Sequence, residues 1–445
     1  MSPAGGPQKD IKDYFQVYSL GEANLPNPVD IPNGQYIDPS VRIPLDPFRK
    51  ISSHKHPIIQ DKRTFELAGP RQLIYFQPEQ TRAAIVSCGG LCPGINTVIR
   101  TLVMQLHYRY GCRDIWGIRY GYQGLRHEAE DSFVRLNPEN VSGIQDAGGS
   151  ILGSSRGHPS CEEMVERLIK HEVQILFTIG GDGTQRGAEE IFDISRKKGY
   201  KLSVVGIPKT IDNDIAYVRK SFGYETAVSI AAEAIRSAHN EAVGYRNGIS
   251  LVKLMGRHSG YIAASATVAA GHANFCLVPE VPFSLYGRGG LLEQLAKRLE
   301  ERKHAVIVVA EGAGQNLFED NQRSYDDSGN VKLENIGEYL RHTIVEYFKS
   351  TCGINVPLKY IDPSYLIRSA PAGSGDQLFC NKLAGAAAHA AMAGKSGIAI
   401  GYWHGCLTHV PFVRLRDYRQ MISPGGSLWF NVIEITGQPA QMLAT

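Results

Sequence analysis

Past residue 82 the chain alternates between two hydrophobic patterns. One is a short continuous apolar run, seen at 83–87, 115–118, 173–179, 202–207, 249–254, 275–278, 305–310 and 397–402. Runs of this length without polar alternation predict strands buried on both faces. The other is a longer segment with apolar residues every three to four positions, the spacing of one helix face. Such segments lie at 97–110, 184–198, 224–240, 259–270, 288–303, 334–349 and 376–393. Strands alternating with helices predict an α/β architecture, a mainly parallel sheet with helices on both faces. The number of units predicts two such sheets. Residues 1–80 differ, being proline-rich, weakly periodic and dotted with Tyr14, Phe15, Tyr18, Tyr36 and Phe48. They predict an extended arm or small domain packing on a partner surface. Partial disorder is the competing reading, disfavoured because disordered segments are poor in aromatics.

Several apolar runs end in glycine and charge, and in open α/β sheets ligands bind at the carboxyl ends of strands. The 202–207 run spills into Pro208-Lys-Thr-Ile-Asp-Asn-Asp214. In extended backbone Asp212 and Asp214 point to one side, and two carboxylates there require a metal ion or a cationic side chain between them. The 173–179 run ends in Gly180-Gly-Asp-Gly-Thr184. Glycines around Asp182 let the backbone approach a phosphate chain, and the carboxylate suits Mg²⁺. A helix-capping turn is the plainer alternative. Gly89-Gly90 repeats the strand–glycine–helix order, which fits either a phosphate loop or a tight turn. It is not a Walker A loop, and the protein-kinase signature set is absent. In Met255-Gly-Arg-His-Ser-Gly260, Arg257 suits a phosphate clamp, while His258 fits a helix-start hydrogen bond as well as a catalytic role. Glu311 ends the 305–310 run as a sugar-hydroxyl ligand or a solvated turn acid. Lys359, Tyr365 and Arg368 share one stretch that suits a phosphomonoester.

Composition narrows the classes. The 445 residues suffice for two or three domains, and the net charge of +3, without a basic block, argues against nucleic acid. No apolar run approaches the ~18 residues of a membrane span. The start, MSPAGGPQKD, lacks the apolar core of a signal peptide. The eight cysteines form no CxxC pair, which predicts reduced thiols and a cytoplasmic protein.

Taken in order, Gly89-Gly90, Tyr122 with Gly124-Leu125, Gly153-Ser-Ser-Arg156, Gly180-Gly-Asp-Gly-Thr184, Pro208 to Asp214, Met255-Gly-Arg257, Glu311-Gly and Tyr365…Arg368 resemble the 6-phosphofructokinase family over about residues 80–420. The long amino-terminal segment and the Lys-Thr-Ile-Asp-Asn-Asp variant are similar to its plant and protist ATP-dependent subgroup. The resemblance implies two Rossmann-like three-layer α/β/α domains with mainly parallel sheets, plus the N-terminal arm. It implies a nucleotide domain at 81–223 with 368–420, and a sugar-phosphate domain at 224–367 with 421–445. It further implies transfer of the ATP γ-phosphate to the 1-hydroxyl of fructose 6-phosphate with Mg²⁺, in a homotetramer. Asp212 would be the general base, with Thr210 beside it and Arg257 at the transferred phosphate. Gly89, Tyr122, Arg156, Gly181, Asp182, Gly183 and Thr184 would line the nucleotide. Asp182 and Asp214 would serve the metal. Met255, Gly256, Arg257 and Glu311 would hold the sugar, and Lys359, Tyr365 and Arg368 its 6-phosphate.

Two positions depart from familiar patterns. Short bacterial members of the family use an arginine from a neighbouring subunit where this chain has Gly248, with Arg246 two residues earlier. Pyrophosphate-dependent members carry aspartate in place of Gly183 and lysine in place of Lys209, so this chain mixes the two types. An aspartate at 183 would put charge and bulk where the α-phosphate lies, whereas Lys209 can contact phosphate with either donor. ATP is therefore the expected donor. The alternatives are a pyrophosphate-dependent enzyme, a relative of the NAD or diacylglycerol kinases that share Gly-Gly-Asp-Gly, and a catalytically silent regulatory subunit. The intact Asp182, Asp212 and Arg257 disfavour the last.

Overall fold

The computed structural model describes residues 15–46, 63–318 and 331–444. They form two compact units. The first holds the chain through Thr210, Ile215–Phe222 and Ser374–Arg419; the second holds Ile211–Asp214, Gly223–Gly373 and Gln420–Thr445.

The first unit is built on a nine-stranded sheet. Five parallel strands form its centre, in the order Ile398–Trp403, Ser203–Pro208, Ile175–Gly180, Arg82–Ser87 and Asp114–Ile118. Every residue of Ile175–Gly180 and Ser203–Pro208 is buried, which is why both read as unbroken apolar runs. The helix Ile95–Met104, continued by a π-helical turn through Tyr110, packs on Ser374–Met392. The helix Cys161–Lys170 packs on Asp182–Lys197. Phe65, Phe177 and Phe412 are fully buried in this unit.

Antiparallel strands complete the sheet at both edges. Phe133–Leu136 pairs with Asp114–Ile118 on one side. On the other, Cys406–Pro411 pairs with Ile398–Trp403, then Thr64–Leu67 and Arg42–Pro44 follow. The described residues of the segment expected as an arm or small domain on a partner surface, 15–46 and 63–80, pack on their own chain. Phe15 is buried with its ring 5.5 Å from Phe65, and Tyr18 meets Phe192 edge-on at 5.3 Å. Tyr14 and Phe48 lie outside the described residues.

A buried ionic cluster ties that segment in. Glu66 accepts hydrogen bonds from Arg71 Nη2 at 2.8 Å and His409 Nδ1 at 3.1 Å, with Lys395 Nζ 3.4 Å away. Burial opposes the charge on Glu66, yet the His409 hydrogen bond and the cations Lys395 and Arg71 hold its carboxyl well below the ordinary range. Burial keeps the His409 imidazole below its ordinary value, so near neutrality it donates as a neutral ring. Glu66→Ala leaves Arg71 and Lys395 without their carboxylate, and is expected to cost about 3–5 kcal/mol. A lowered urea midpoint with unchanged slope checks this. A depressed carboxyl stabilises the fold above its unfolded-state value and loses that contribution as pH falls. Glu66→Ala should therefore flatten the loss of wild-type stability in acid.

The second unit carries a four-stranded parallel sheet, ordered Phe275–Leu277, His304–Ala310, Gly248–Leu254 and Leu358–Ile361. The helices Tyr224–Val243, Tyr261–Ala270, Leu291–Arg302, Ile336–Ser350 and Ser427–Thr436 accompany it. Leu251, Leu295, Ile307 and Phe348 lie in its core.

Candidate active site

In the first unit three neighbouring parallel strands end together, and their turns are tied to one another. Cys88 N donates to Ile179 O at 2.9 Å, and Lys209 N to Gly180 O at 2.9 Å. The Lys209 side chain is buried, and its ammonium donates to Gly90 O at 2.6 Å. Lys209 therefore clasps the first glycine turn to the end of the strand Ser203–Pro208. Gly89 takes φ +83°, a left-handed conformation that glycine adopts without strain. The 153–157 turn joins here, since Ser154 Oγ donates to Gly89 O at 2.5 Å. Arg156 is exposed on that turn.

Asp182 is the first residue of the helix Asp182–Lys197, with Gly181 as its cap. The amide ends of such a helix favour anions. Gly180 lacks a side chain for a packing reason, because a Cβ there would run into Thr184. Gly183 has no such reason: a Cβ would meet nothing within 4 Å. Tyr122, which the resemblance places at the nucleotide, is 2% exposed, and its hydroxyl donates to Thr184 O at 2.8 Å. It braces the turn from beneath. Thr210 accepts from Ser221 Oγ through its carbonyl at 2.5 Å.

Asp182 is paired with a residue that nothing in the local sequence marks. Arg419 Nη2 lies 2.7 Å from Asp182 Oδ2. Among the described residues no group of three or more His, Cys, Asp or Glu could hold a metal alone. A carboxylate that is 41% exposed at a helix start does fit Mg²⁺, which takes one or two protein carboxylates and completes its shell with phosphate oxygens and water.

In the second unit Asp212, Asp214, Glu311, Arg257 and Arg368 come together. Burial pushes the Asp212 carboxyl up to about 7, and the charges of Asp214 and Glu311 act in the same direction. Arg368 and a backbone hydrogen bond at Arg257 oppose them. The two aspartates do not share one side of an extended strand, as their spacing predicted. Asn213 between them sits at φ +55°, so the segment turns. Gln420 secures that turn, its backbone N donating to Asp214 O at 2.9 Å and its side chain to Asn213 O at 2.8 Å.

The loops after Gly248–Leu254 and His304–Ala310 are stitched by Glu311 N to Leu254 O at 2.9 Å and Gly312 N to Gly256 O at 3.1 Å. Side chains at Gly256 or Gly312 would strike the carbonyls of Ser259 and Arg257. Met255 is fully buried, and its Sδ receives Arg368 Nε at 3.4 Å, so it orients that guanidinium. Arg257 Nη1 donates to Val331 O at 2.5 Å. His258 is exposed just before the helix Tyr261–Ala270. Lys359 lies over the Tyr245 ring at 5.4 Å, and Tyr365 is 87% exposed; neither is among the principal groups that shift Asp212. A side chain at Gly248 would strike the Ala242 carbonyl, and Arg246 is exposed.

Comparison with known proteins identifies the family. The family model described as Phosphofructokinase matches residues 82–391. A Borreliella burgdorferi protein named ATP-dependent 6-phosphofructokinase is 45% identical over 439 residues, covering 96% of this chain and 97% of its own. An Arabidopsis thaliana protein named ATP-dependent 6-phosphofructokinase 7 is 45% identical over 378 residues, covering 84% and 77%. The crystal structure of a pyrophosphate-dependent phosphofructokinase from Marinobacter aquaeolei superposes with TM-score 0.67 at 18% identity, covering 81% and 92%, a likeness of fold. With a family match over most of its α/β body and relatives of this identity along nearly its whole length, the chain belongs to the phosphofructokinase family.

Proposed function

We propose that the chain transfers the γ-phosphate of ATP to the 1-hydroxyl of fructose 6-phosphate, releasing ADP and fructose 1,6-bisphosphate. The observation that carries this reading is Asp212, a half-buried residue with carboxyl Oδ1 out of solvent, raised to about 7 beside Arg257 and Arg368. A base poised near the working pH takes a proton most effectively in the transition state. The 1-hydroxyl oxygen attacks the γ-phosphorus, the bond to the β–γ bridging oxygen breaks, and the hydroxyl proton passes to an Asp212 oxygen. Arg257 is the guanidinium proposed to face the charge on the transferring phosphoryl group. Met255, Gly256 and Glu311 orient the sugar, and Arg368, with Lys359 and Tyr365, takes its 6-phosphate. In the first unit the amides around Gly181, Gly183 and Thr184, with Gly89 and Arg156, take the nucleotide phosphates. Mg²⁺, when bound, would neutralise phosphate charge, and Asp182 and Asp214 are the carboxylates proposed to serve it.

ATP as donor is supported by the names of the relatives and by the open space above Gly183. Lys209 gives no separate support to pyrophosphate, because an ammonium that spends one of its three donors on the Gly90 carbonyl can contact phosphate with either donor. A homotetramer and a cytoplasmic setting belong to the same proposal. The second is supported by eight cysteines that form no disulfide. Among the described residues no helix is long and apolar enough to cross a membrane. Phosphorus NMR of the product tests the reaction: the new phosphate should appear on carbon 1 of the sugar, and a product phosphorylated elsewhere would overturn the assignment.

A further inference from the structure

We propose that Arg419 is a positioning residue for the phosphoryl donor, pairing with Asp182 until a metal–nucleotide complex arrives and then with the donor's phosphate. The inference rests on the ATP-dependent reading above. Its first support is the ion pair itself, with Arg419 Nη2 2.7 Å from Asp182 Oδ2 at the start of the helix Asp182–Lys197. A divalent cation cannot use that carboxylate fully while the guanidinium occupies it. The two side chains are 38% and 41% exposed, so the pair is weak enough to be exchanged.

The second support is the way Arg419 is held. Its backbone forms an antiparallel bridge with Ile215. Asp417, two residues earlier, accepts from Tyr217 Oη at 2.6 Å and from Arg414 Nη1 at 2.9 Å. Tyr217 in turn packs edge-on against Trp403, 5.6 Å between centroids. The guanidinium therefore extends from a fixed platform toward a helix start that already favours anions. Once a metal takes the Asp182 charge, the same guanidinium is left positive beside the site where phosphate binds. Arginine suits that exchange, because its planar fork matches carboxylate and phosphate alike.

Arg419→Gln in the full chain tests this with two readouts. One is Mn²⁺ binding without nucleotide, by calorimetry; the other is steady-state kinetics with MgATP. Mn²⁺ binding should tighten by about threefold, because an exposed competing pair is removed. The KM for MgATP should rise by about tenfold or more, with kcat and the KM for fructose 6-phosphate little changed. Arg419→Met, which keeps the aliphatic stem, is read in the same way if the glutamine variant does not fold. Unchanged Mn²⁺ affinity and unchanged KM for MgATP would overturn the proposal. Tighter Mn²⁺ binding with an unchanged KM would also overturn it, since the guanidinium would then only block the carboxylate. A wild-type chain inactive with ATP would instead be a failure of the functional reading, seen before any variant is made.

Discussion

Replacing Asp212 with asparagine is expected to lower kcat by about two to four orders of magnitude while leaving the KM for fructose 6-phosphate nearly unchanged. Asparagine has the shape of a protonated aspartate and cannot accept the hydroxyl proton. Burial and the neighbouring Asp214 and Glu311 charges raise the Asp212 carboxyl to about 7. In the free enzyme the base is thus increasingly protonated as pH falls below about 7. Wild-type kcat/KM should drop on that acidic side, and the residual activity of the variant should lack this limb. Stability runs the opposite way. An acid whose folded-state value is raised stabilises the fold at low pH, and that contribution is lost as pH rises through the folded value. Asp212→Asn removes a buried charge that is costly above pH 7, so its melting temperature at pH 8 should be no lower than that of the wild type. A fall in activity accompanied by a fall in melting temperature would point to misfolding and sink the base assignment.

Gly183→Asp carries the second large effect, on the donor alone. The residue lies in the first turn of its helix, where a Cβ meets nothing within 4 Å and an acidic side chain is favourable. The fold therefore accepts the substitution. What it adds is a negative charge in the space proposed for the nucleotide phosphates, and like charges brought together there cost several kcal/mol. The kcat/KM for MgATP should fall by about a hundredfold or more, with the KM for fructose 6-phosphate and the melting temperature close to wild type. Equal loss of both substrates would mean that Gly183 acts through the fold and not through the donor.

What could be read from the sequence follows from how each residue is satisfied. The strands Ile175–Gly180 and Ser203–Pro208 are buried on both faces and appear as apolar runs at 173–179 and 202–207. The edge strands do not show this way. Cys406–Pro411 carries Thr408 and His409 into the interior, and Thr64–Leu67 carries Glu66. Each looks polar on its own, yet Glu66 and His409 satisfy one another across 343 residues of chain. The same distance problem hides Arg419 and Gln420. Their partners, Asp182 and the 212–214 turn, lie more than 200 residues away, and no spacing rule links them. The turn at Asn213 leaves no mark in the sequence, because asparagine fits extended and left-handed backbone alike. Tyr122 and Lys209 are singled out as ligand groups only by the family resemblance, not by spacing. Their polar atoms serve backbone carbonyls of neighbouring turns.

The most direct test of the central claim is the initial rate with fructose 6-phosphate and Mg²⁺, measured with ATP and with pyrophosphate as separate donors. Turnover with ATP and none with pyrophosphate is the predicted result, with Gly183 leaving room for the nucleotide and Lys209 serving the turn. Turnover with pyrophosphate alone would contradict it, and would mean that a glycine at 183 does not decide the donor.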